Sequence, residues 1–121
     1  AHVPKSFMDL VNEARSRIRE IDVASAAAAI EAGQATVVDV REPEEYRQGR
    51  IEGSINIPRG IAEMGVPQMI PDPRTRIICL CAGGNRSALV ADSLRQMGYE
   101  NIESLVGGFQ GWVRSGLKVV R

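Results

Sequence analysis

Residues 76–98, RIICLCAGGNRSALVADSLRQMG, contain the pattern that indicates the fold class of this chain. The apolar run 76–81 is as short and continuous as a parallel strand buried on both faces. After a glycine-containing turn, residues 87–97 place apolar side chains at helical spacing, and Gly98 follows as the expected C-terminal cap. The stretch therefore predicts a strand, a loop and a helix, with Cys81 as the last residue of the strand.

Apolar runs and helical patterns alternate along the rest of the chain after Ile21. Strands are predicted at 36–40, 54–57 and 101–106, and helices at 24–32 and 43–48, with a closing helix from Gly108 through Trp112 that Gly116 ends. Between Arg59 and Thr75, Gly and Pro residues interrupt every regular pattern, so we expect a loop with one short helical turn. The alternation predicts an α/β fold.

An amphipathic helix is predicted from Lys5 to Glu20. Ser6 precedes it as an N-cap, with Asp9 three residues later. The apolar residues that recur at helical spacing are Phe7, Val11, Ala14 and Ile18, with Leu10 beside them. We assign residues 1–20 to an N-terminal helical extension and 21–121 to the main domain. The helix packs either on its own domain or on a second copy, which would give a homodimer.

Composition limits the classes of partner. The 121 residues suffice for one domain, and 15 basic against 15 acidic residues leave no global field for nucleic acid or an anionic membrane. No apolar window is long enough for a membrane span, so we expect a soluble protein. With no secretory signal pattern we expect a cytoplasmic location, or a periplasmic one if the N-terminus has been processed.

Cys81 stands where a strand, a glycine-containing loop and a helix start meet. Backbone amides of such a loop and of the first helical turn can point at one spot and favour an anion there. Together with the Arg86 cation they should favour the thiolate, which is the reactive form of cysteine. Gly83 and Gly84 allow the positive-φ backbone that a tight ring of amides tends to demand. Cys81 is therefore the best nucleophile candidate, with Arg86 as its cationic partner.

Short motifs follow one another in a fixed order along most of the chain. They are Val38-Asp39-Val40-Arg41-Glu42-Pro43, Glu45-Tyr46, Gly49-Arg50-Ile51, Gly53-Ser54-Ile55-Asn56-Ile57-Pro58, Cys81 to Arg86, and Leu105-Val106-Gly107-Gly108 with Trp112. In this order and at these separations they closely resemble the rhodanese homology domain, over about Ile21 to Leu117. Family members usually have His where Arg50 stands and Ala where Ser54 stands; both departures lie outside the cysteine loop, so we expect activity to be retained.

The resemblance implies a central parallel sheet of about five strands flanked by helices, with Cys81 carrying sulfur as a persulfide. The binding residues that it implies are those of the loop, Ala82, Gly83, Gly84, Asn85 and Ser87. The implied reaction begins when the Cys81 thiolate attacks the sulfane sulfur of a small-molecule donor such as thiosulfate, and sulfite leaves. A thiol, cyanide or a protein acceptor then removes the outer sulfur. No cofactor is implied.

Three other functions stay open at this point. A sulfur-relay protein would be loaded and unloaded by partner proteins, and a non-catalytic interaction module would use the same fold, although such modules often lack the cysteine. Phosphatases and arsenate reductases that look like this fold use a loop one residue longer between Cys and Arg, so the four residues here favour sulfur. Ala82 does not match the loops of the well-known thiosulfate or mercaptopyruvate enzymes, so the donor stays open.

Residues near the predicted site have simpler interpretations. Asp39 and Arg41 are expected to form an ion pair behind the site, at the carboxyl edge of the sheet. Arg59 could help a negatively charged donor to approach. Cys79 is most simply a core residue, and because it stands two residues before Cys81 on one strand it is poorly placed to form a disulfide with it. Trp112 is expected in the core, and His2 has no partner residues for a metal site, so no metal is indicated.

Overall fold

The structure, a computed structural model, describes residues 3–121 of the chain. These residues form five β-strands, six α-helices and one short 3₁₀ helix, Arg59–Ile61. The strands are β1 (Arg19–Ile21), β2 (Thr36–Asp39), β3 (Ile55–Asn56), β4 (Ile77–Leu80) and β5 (Ile102–Leu105). The helices are α1 (Phe7–Arg15), α2 (Val23–Glu31), α3 (Pro43–Gln48), α4 (Ala62–Met69), α5 (Asn85–Gln96) and α6 (Gly108–Arg114).

The strands form one sheet in the order β1-β5-β4-β2-β3, and every neighbouring pair is parallel. All four residues of β4, the middle strand, are buried. Ile77 and Cys79 pack with α4 and α5 on one face, whereas Ile78 and Leu80 pack with α2 and α6 on the other. The predicted α/β fold with a central parallel sheet of five strands is confirmed, and the strands' carboxyl ends meet at one edge.

Helix α1 begins as the sequence indicates. Ser6 Oγ accepts from the amide of Asp9 at 3.0 Å, and the Asp9 carboxylate accepts from the amide of Ser6 at 2.9 Å, so each residue satisfies an amide of the other. Val11 and Ala14 are buried, and α1 packs against α5 of the same chain. The Arg17 guanidinium, just after the helix, donates to the buried Asp92 carboxylate of α5 at 2.8 Å.

The predicted helix over Lys5–Glu20 is too long, because α1 ends at Arg15 and residues 19–21 form strand β1. Ile18, which fits the helical period, packs against the core from the turn between the two elements. Only Ile21 of β1 is buried, so this edge strand has no apolar pattern of its own. Its conformation comes from pairing with β5, a tertiary contact that periodicity does not contain.

The segment Arg59–Thr75 is more regular than predicted, since it holds the 3₁₀ helix and the eight-residue helix α4. Pro67, inside α4, lacks the amide that would continue the helical hydrogen bonds. The helix forms because Ala62 and Val66 are buried against the sheet and α5. A Cβ at Gly65 would lie 2.9 Å from the Ile57 side chain, so the glycine allows this close packing.

Two boundaries around the cysteine loop also differ from the prediction. β4 ends at Leu80, so Cys81 is the first residue after the strand. α5 begins at Asn85, two residues earlier than expected, which places Asn85 and Arg86 in its first turn. Val90, Ala91 and Leu94 are buried as predicted, but Met97 follows the helix and is 46% exposed.

Within residues 3–121, none of the helices is both long enough and apolar enough to span a bilayer.

The packing of α1 on α5 can be tested by truncating one side chain. Val11 is fully buried, so Val11→Ala should lower the free energy of unfolding by about 1–2 kcal/mol. Leu10→Ala, on the same helix but 46% exposed, is the control and should change it by less than about 0.5 kcal/mol. Urea denaturation measures both. Equal effects of the two variants would contradict the docked position of α1.

Candidate active site

Cys81 lies at the carboxyl edge of the sheet, between the central strand β4 and helix α5. The loop has only Ala82, Gly83 and Gly84 before the helix begins. Gly84 precedes the helix at a φ of 106°, a left-handed conformation that glycine adopts without strain. The loop therefore returns over the cysteine and places the α5 N-terminus beside it.

The Cys81 thiol is buried and makes hydrogen bonds with groups of the loop and of α5. Sγ accepts from the amide of Gly84 at 3.1 Å and from that of Ser87 at 3.4 Å, and the Ser87 hydroxyl lies 3.5 Å away. The residue is 1% exposed. The amides of Asn85 and Arg86 are in the first helical turn, where no carbonyl of the helix can accept from them. The site thus presents two main-chain donors to the sulfur atom, with two more unpaired helix amides between them in sequence.

Helix α6 holds the loop from its other side. The amide of Phe109 donates to the Cys81 carbonyl at 2.8 Å, and the amide of Gln110 donates to the Ala82 carbonyl at 3.0 Å. Gly108 permits this contact, because a Cβ there would lie 2.5 Å from the Cys81 carbonyl oxygen, and its φ is 57°. The sequence predicted a turn at Gly107-Gly108 but gave no sign that the turn fixes the cysteine loop.

Arg86 is paired with a carboxylate. Its two terminal nitrogens donate to the two Glu45 carboxylate oxygens at 2.8 and 3.1 Å, and no hydrogen bond links Arg86 to Sγ in the described structure. The Glu45 hydrogen bonds raise the pKa of Arg86, and charge on Cys81 adds to this effect. Glu45 was not predicted as a site residue, although it stands in the Glu45-Tyr46 motif. Arg86 therefore links α5 to α3 next to the thiol.

The expected ion pair between Asp39 and Arg41 is present and buried. The Arg41 guanidinium donates to both Asp39 carboxylate oxygens, the shortest contact being 2.7 Å, and also to the Gly49 carbonyl at 2.8 Å. It lies 4.1 Å from the centre of the Phe109 ring. Arg41 thus connects the end of β2 to the end of α3 and the start of α6.

A shallow groove of about 340 Å³ runs beside the cysteine loop. It is lined by Arg41, Glu45, Gln48, Gly49, Ala82, Phe109 and Gln110. Arg59, suggested from sequence as a guide for the donor, lines a different groove next to α1 and lies over the Phe7 ring. The Asn85 side chain also points elsewhere, accepting from Arg15 of α1 at 3.2 Å.

The remaining residues considered from sequence have other surroundings. Cys79 is fully buried, and burial raises the pKa of its thiol to about 12. Trp112 is in the core, as predicted, and its indole donates to the Lys118 carbonyl. His2 lies outside the described residues. In the part of the chain that the structure covers, no three His, Cys, Asp or Glu side chains are grouped to bind a metal.

A parallel α/β domain whose central strand leads directly into a cysteine held by loop and helix amides defines a known class, the rhodanese-like domain. The family model for that domain matches residues 22–115, and the chain belongs to this family. The thiosulfate sulfurtransferase GlpE of Tolumonas auensis is 28% identical over 97 residues, which are 80% of this chain and 90% of that protein.

Two solved structures extend the comparison. A rhodanese-related protein from Thermoplasma volcanium is 38% identical and superposes with a TM-score of 0.75 over 84% of this chain and 97% of its own. A protein of unknown function from Rhodopseudomonas palustris, described as a possible tyrosine phosphatase, is 30% identical and superposes with a TM-score of 0.88. It covers 99% of this chain, and this chain covers 98% of it, so the similarity includes α1.

The ion pair of Glu45 with Arg86 predicts a pH dependence of stability. The Arg86 hydrogen bonds lower the pKa of Glu45 from 4.5 to about 2 in the folded protein. A carboxylate with a depressed folded pKa contributes stability above its unfolded pKa and loses it as pH falls through the folded value. The stability advantage of the native chain over Glu45→Gln should therefore be full above pH 4.5 and shrink between 4.5 and about 2.

Chemical denaturation across that pH range measures the advantage. Glu63→Gln removes an exposed carboxylate on α4 and serves as the control. A difference between the native chain and Glu45→Gln that stays constant with pH would contradict the ion pair.

Proposed function

We propose that this chain is a sulfurtransferase that carries sulfane sulfur as a persulfide on Cys81. One observation carries the proposal: Sγ of a buried cysteine at the sheet edge accepts hydrogen bonds from the amides of Gly84 and Ser87. Such donors stabilise a sulfur anion without a side-chain charge in contact with it. Relatives named thiosulfate sulfurtransferase support the reaction class.

The first half-reaction loads the cysteine. The Cys81 thiolate attacks the outer sulfur of thiosulfate, the new Sγ–S bond forms, and the S–S bond of thiosulfate breaks with sulfite as the leaving group. The negative charge of the thiolate thereby moves from Sγ to the terminal sulfur of the persulfide. The amides of Asn85 and Arg86, which have no partner within the helix, are suitable donors to that terminal sulfur.

The second half-reaction returns the thiolate. A thiolate or cyanide attacks the terminal sulfur, and the Sγ–S bond breaks so that its electron pair remains on Sγ. Thiocyanate or a new persulfide leaves, and charge is conserved in both cases. The groove beside Ala82 is shallow and lined by polar and aromatic side chains, so it suits a small thiol or an exposed cysteine of a protein acceptor.

Arg86 and the Asp39–Arg41 pair support the site from behind in this scheme. Both arginines are engaged by carboxylates, Arg86 by Glu45 and Arg41 by Asp39. Their role is to fix the ends of α3, α5 and α6 around the loop, while Arg86 also adds positive potential near Sγ. Main-chain amides therefore supply the direct stabilisation of the sulfur charge.

A phosphatase fits the geometry less well. The loop has four residues between Cys81 and Arg86, and its amides already contact Sγ at 3.1 and 3.4 Å. This compact ring suits one sulfur atom better than a tetrahedral oxyanion. The Arg86 guanidinium, which would have to bind the oxyanion, instead donates hydrogen bonds from both terminal nitrogens to the Glu45 carboxylate.

Intact mass after incubation with thiosulfate tests the proposal. The native chain should gain the mass of one sulfur atom and lose it on reduction, and Cys81→Ser should gain none. Cys79→Ser is the matched control, because this thiol is buried on the preceding strand, and it should load like the native chain. Sulfur uptake by Cys81→Ser would contradict the proposal. Failure of the native chain to take up sulfur from thiosulfate or from any other sulfane-sulfur donor would also contradict it.

A further inference from the structure

Two buried serine hydroxyls continue from the Cys81 thiol into the protein. Ser87 of α5 is 0% exposed and Ser104 of β5 is 1% exposed. Their Oγ atoms are 2.9 Å apart, and Ser87 Oγ is 3.5 Å from Sγ. Ser104 stands opposite Cys79 in the sheet register. A row of Sγ, Ser87 Oγ and Ser104 Oγ thus lies beneath the loop.

The direction of the hydrogen bonds in this row depends on the charge of the sulfur. A neutral thiol donates to the Ser87 hydroxyl, as the structure has it. A thiolate can only accept, so Ser87 must then donate its single hydrogen to Sγ. Its oxygen is left to accept, and the Ser104 hydroxyl is the donor at hydrogen-bonding distance. Linked donors of this kind strengthen one another at a buried anion.

We propose that Ser104 is a positioning residue that acts through Ser87 to stabilise charge on Cys81 Sγ. The inference rests on the proposed function, in which Sγ gains negative charge as the Sγ–S bond breaks during unloading. Donation from Ser104 to Ser87 and from Ser87 to Sγ then makes Cys81 a better leaving group. Loading removes charge from Sγ, so the serine pair should accelerate unloading more than loading.

The charged side chains near the thiol are paired with each other and do not contact the two serine hydroxyls. Arg86 of α5 is paired with Glu45 of α3, and Arg41 after β2 is paired with Asp39. Cys79 lies on β4, next to Ser104 of β5, and it is neutral near pH 7 because burial raises the pKa of its thiol to about 12. None of these groups makes a hydrogen bond to Ser87 or Ser104 in the described structure.

The test measures sulfur removal by cyanide from loaded Cys81, as thiocyanate formed in a single turnover. Ser87→Ala should slow this step about tenfold, and Ser104→Ala about threefold. Threonine and valine have side chains of the same shape, so the difference in unloading rate between Ser104→Thr and Ser104→Val reports the hydroxyl alone. The rate of Ser104→Thr should be close to that of the native chain, and the rate of Ser104→Val close to that of Ser104→Ala. Ser54→Ala, which removes a hydroxyl at the amino end of β3, should have no effect.

A double-mutant cycle separates positioning from packing. If Ser104 acts through Ser87, Ser104→Ala should have no further effect when Ser87 is already alanine. Independent, multiplying effects of the two changes, or equal rates for Ser104→Thr and Ser104→Val, would overturn the inference. Thermal unfolding of each variant checks that the fold is retained.

A second readout separates this inference from the proposed function. Alkylation of Cys81 by iodoacetamide requires the thiolate but no sulfur transfer. If the native chain takes up no sulfur, the proposed function fails. The double-mutant cycle of Ser87→Ala and Ser104→Ala is then measured on the rate of Cys81 alkylation. The Ser104→Ala effect must again disappear in the Ser87→Ala background; an effect that persists there refutes the role of Ser104.

Discussion

The hydrogen bonds from the start of α6 to the cysteine loop are the contact on which the rest of the site depends. The amide of Phe109 donates to the Cys81 carbonyl, and the amide of Gln110 donates to the Ala82 carbonyl. In a trans peptide the carbonyl and the following amide point in opposite directions, so the amides of Ala82 and Gly83 are turned away from α6. Gly108 makes this arrangement possible, since any side chain there would collide with the Cys81 carbonyl. The loop carbonyls are thereby bound on the α6 side, while the amides of Gly84 and Ser87 contact the sulfur.

Rigid support and direct stabilisation come from different groups. The ion pairs Asp39–Arg41 and Glu45–Arg86 tie together the elements that carry the loop, and each arginine has a carboxylate partner. The sulfur itself is contacted by uncharged groups: it accepts from the amides of Gly84 and Ser87 and lies 3.5 Å from the Ser87 hydroxyl. Fixed dipoles in a buried site need no reorganisation when charge develops, which suits a reaction in which charge leaves Sγ and returns to it.

Sequence patterns were sufficient to locate the central strand and helix α5, though not the ends at Leu80 and Asn85, because burial on both faces and helical periodicity are visible in the residues themselves. They failed for β1 and α4, whose conformations come from pairing with β5 and from burial against α5. In the site, Cys81 and the Asp39–Arg41 pair could be found from their neighbours in the chain. Glu45, Ser104 and Gly108 could not, because each meets the loop only through a contact between distant segments.

The central claim is that the amide ring around Cys81 holds a sulfur atom bonded to Sγ. A high-resolution crystal structure of the protein after treatment with thiosulfate tests it most directly. We expect one additional sulfur atom bonded to Cys81 Sγ, within hydrogen-bonding distance of amides between Ala82 and Ser87. An unmodified Cys81 with intact thiosulfate in the loop, or with the added sulfur on Cys79, would contradict it.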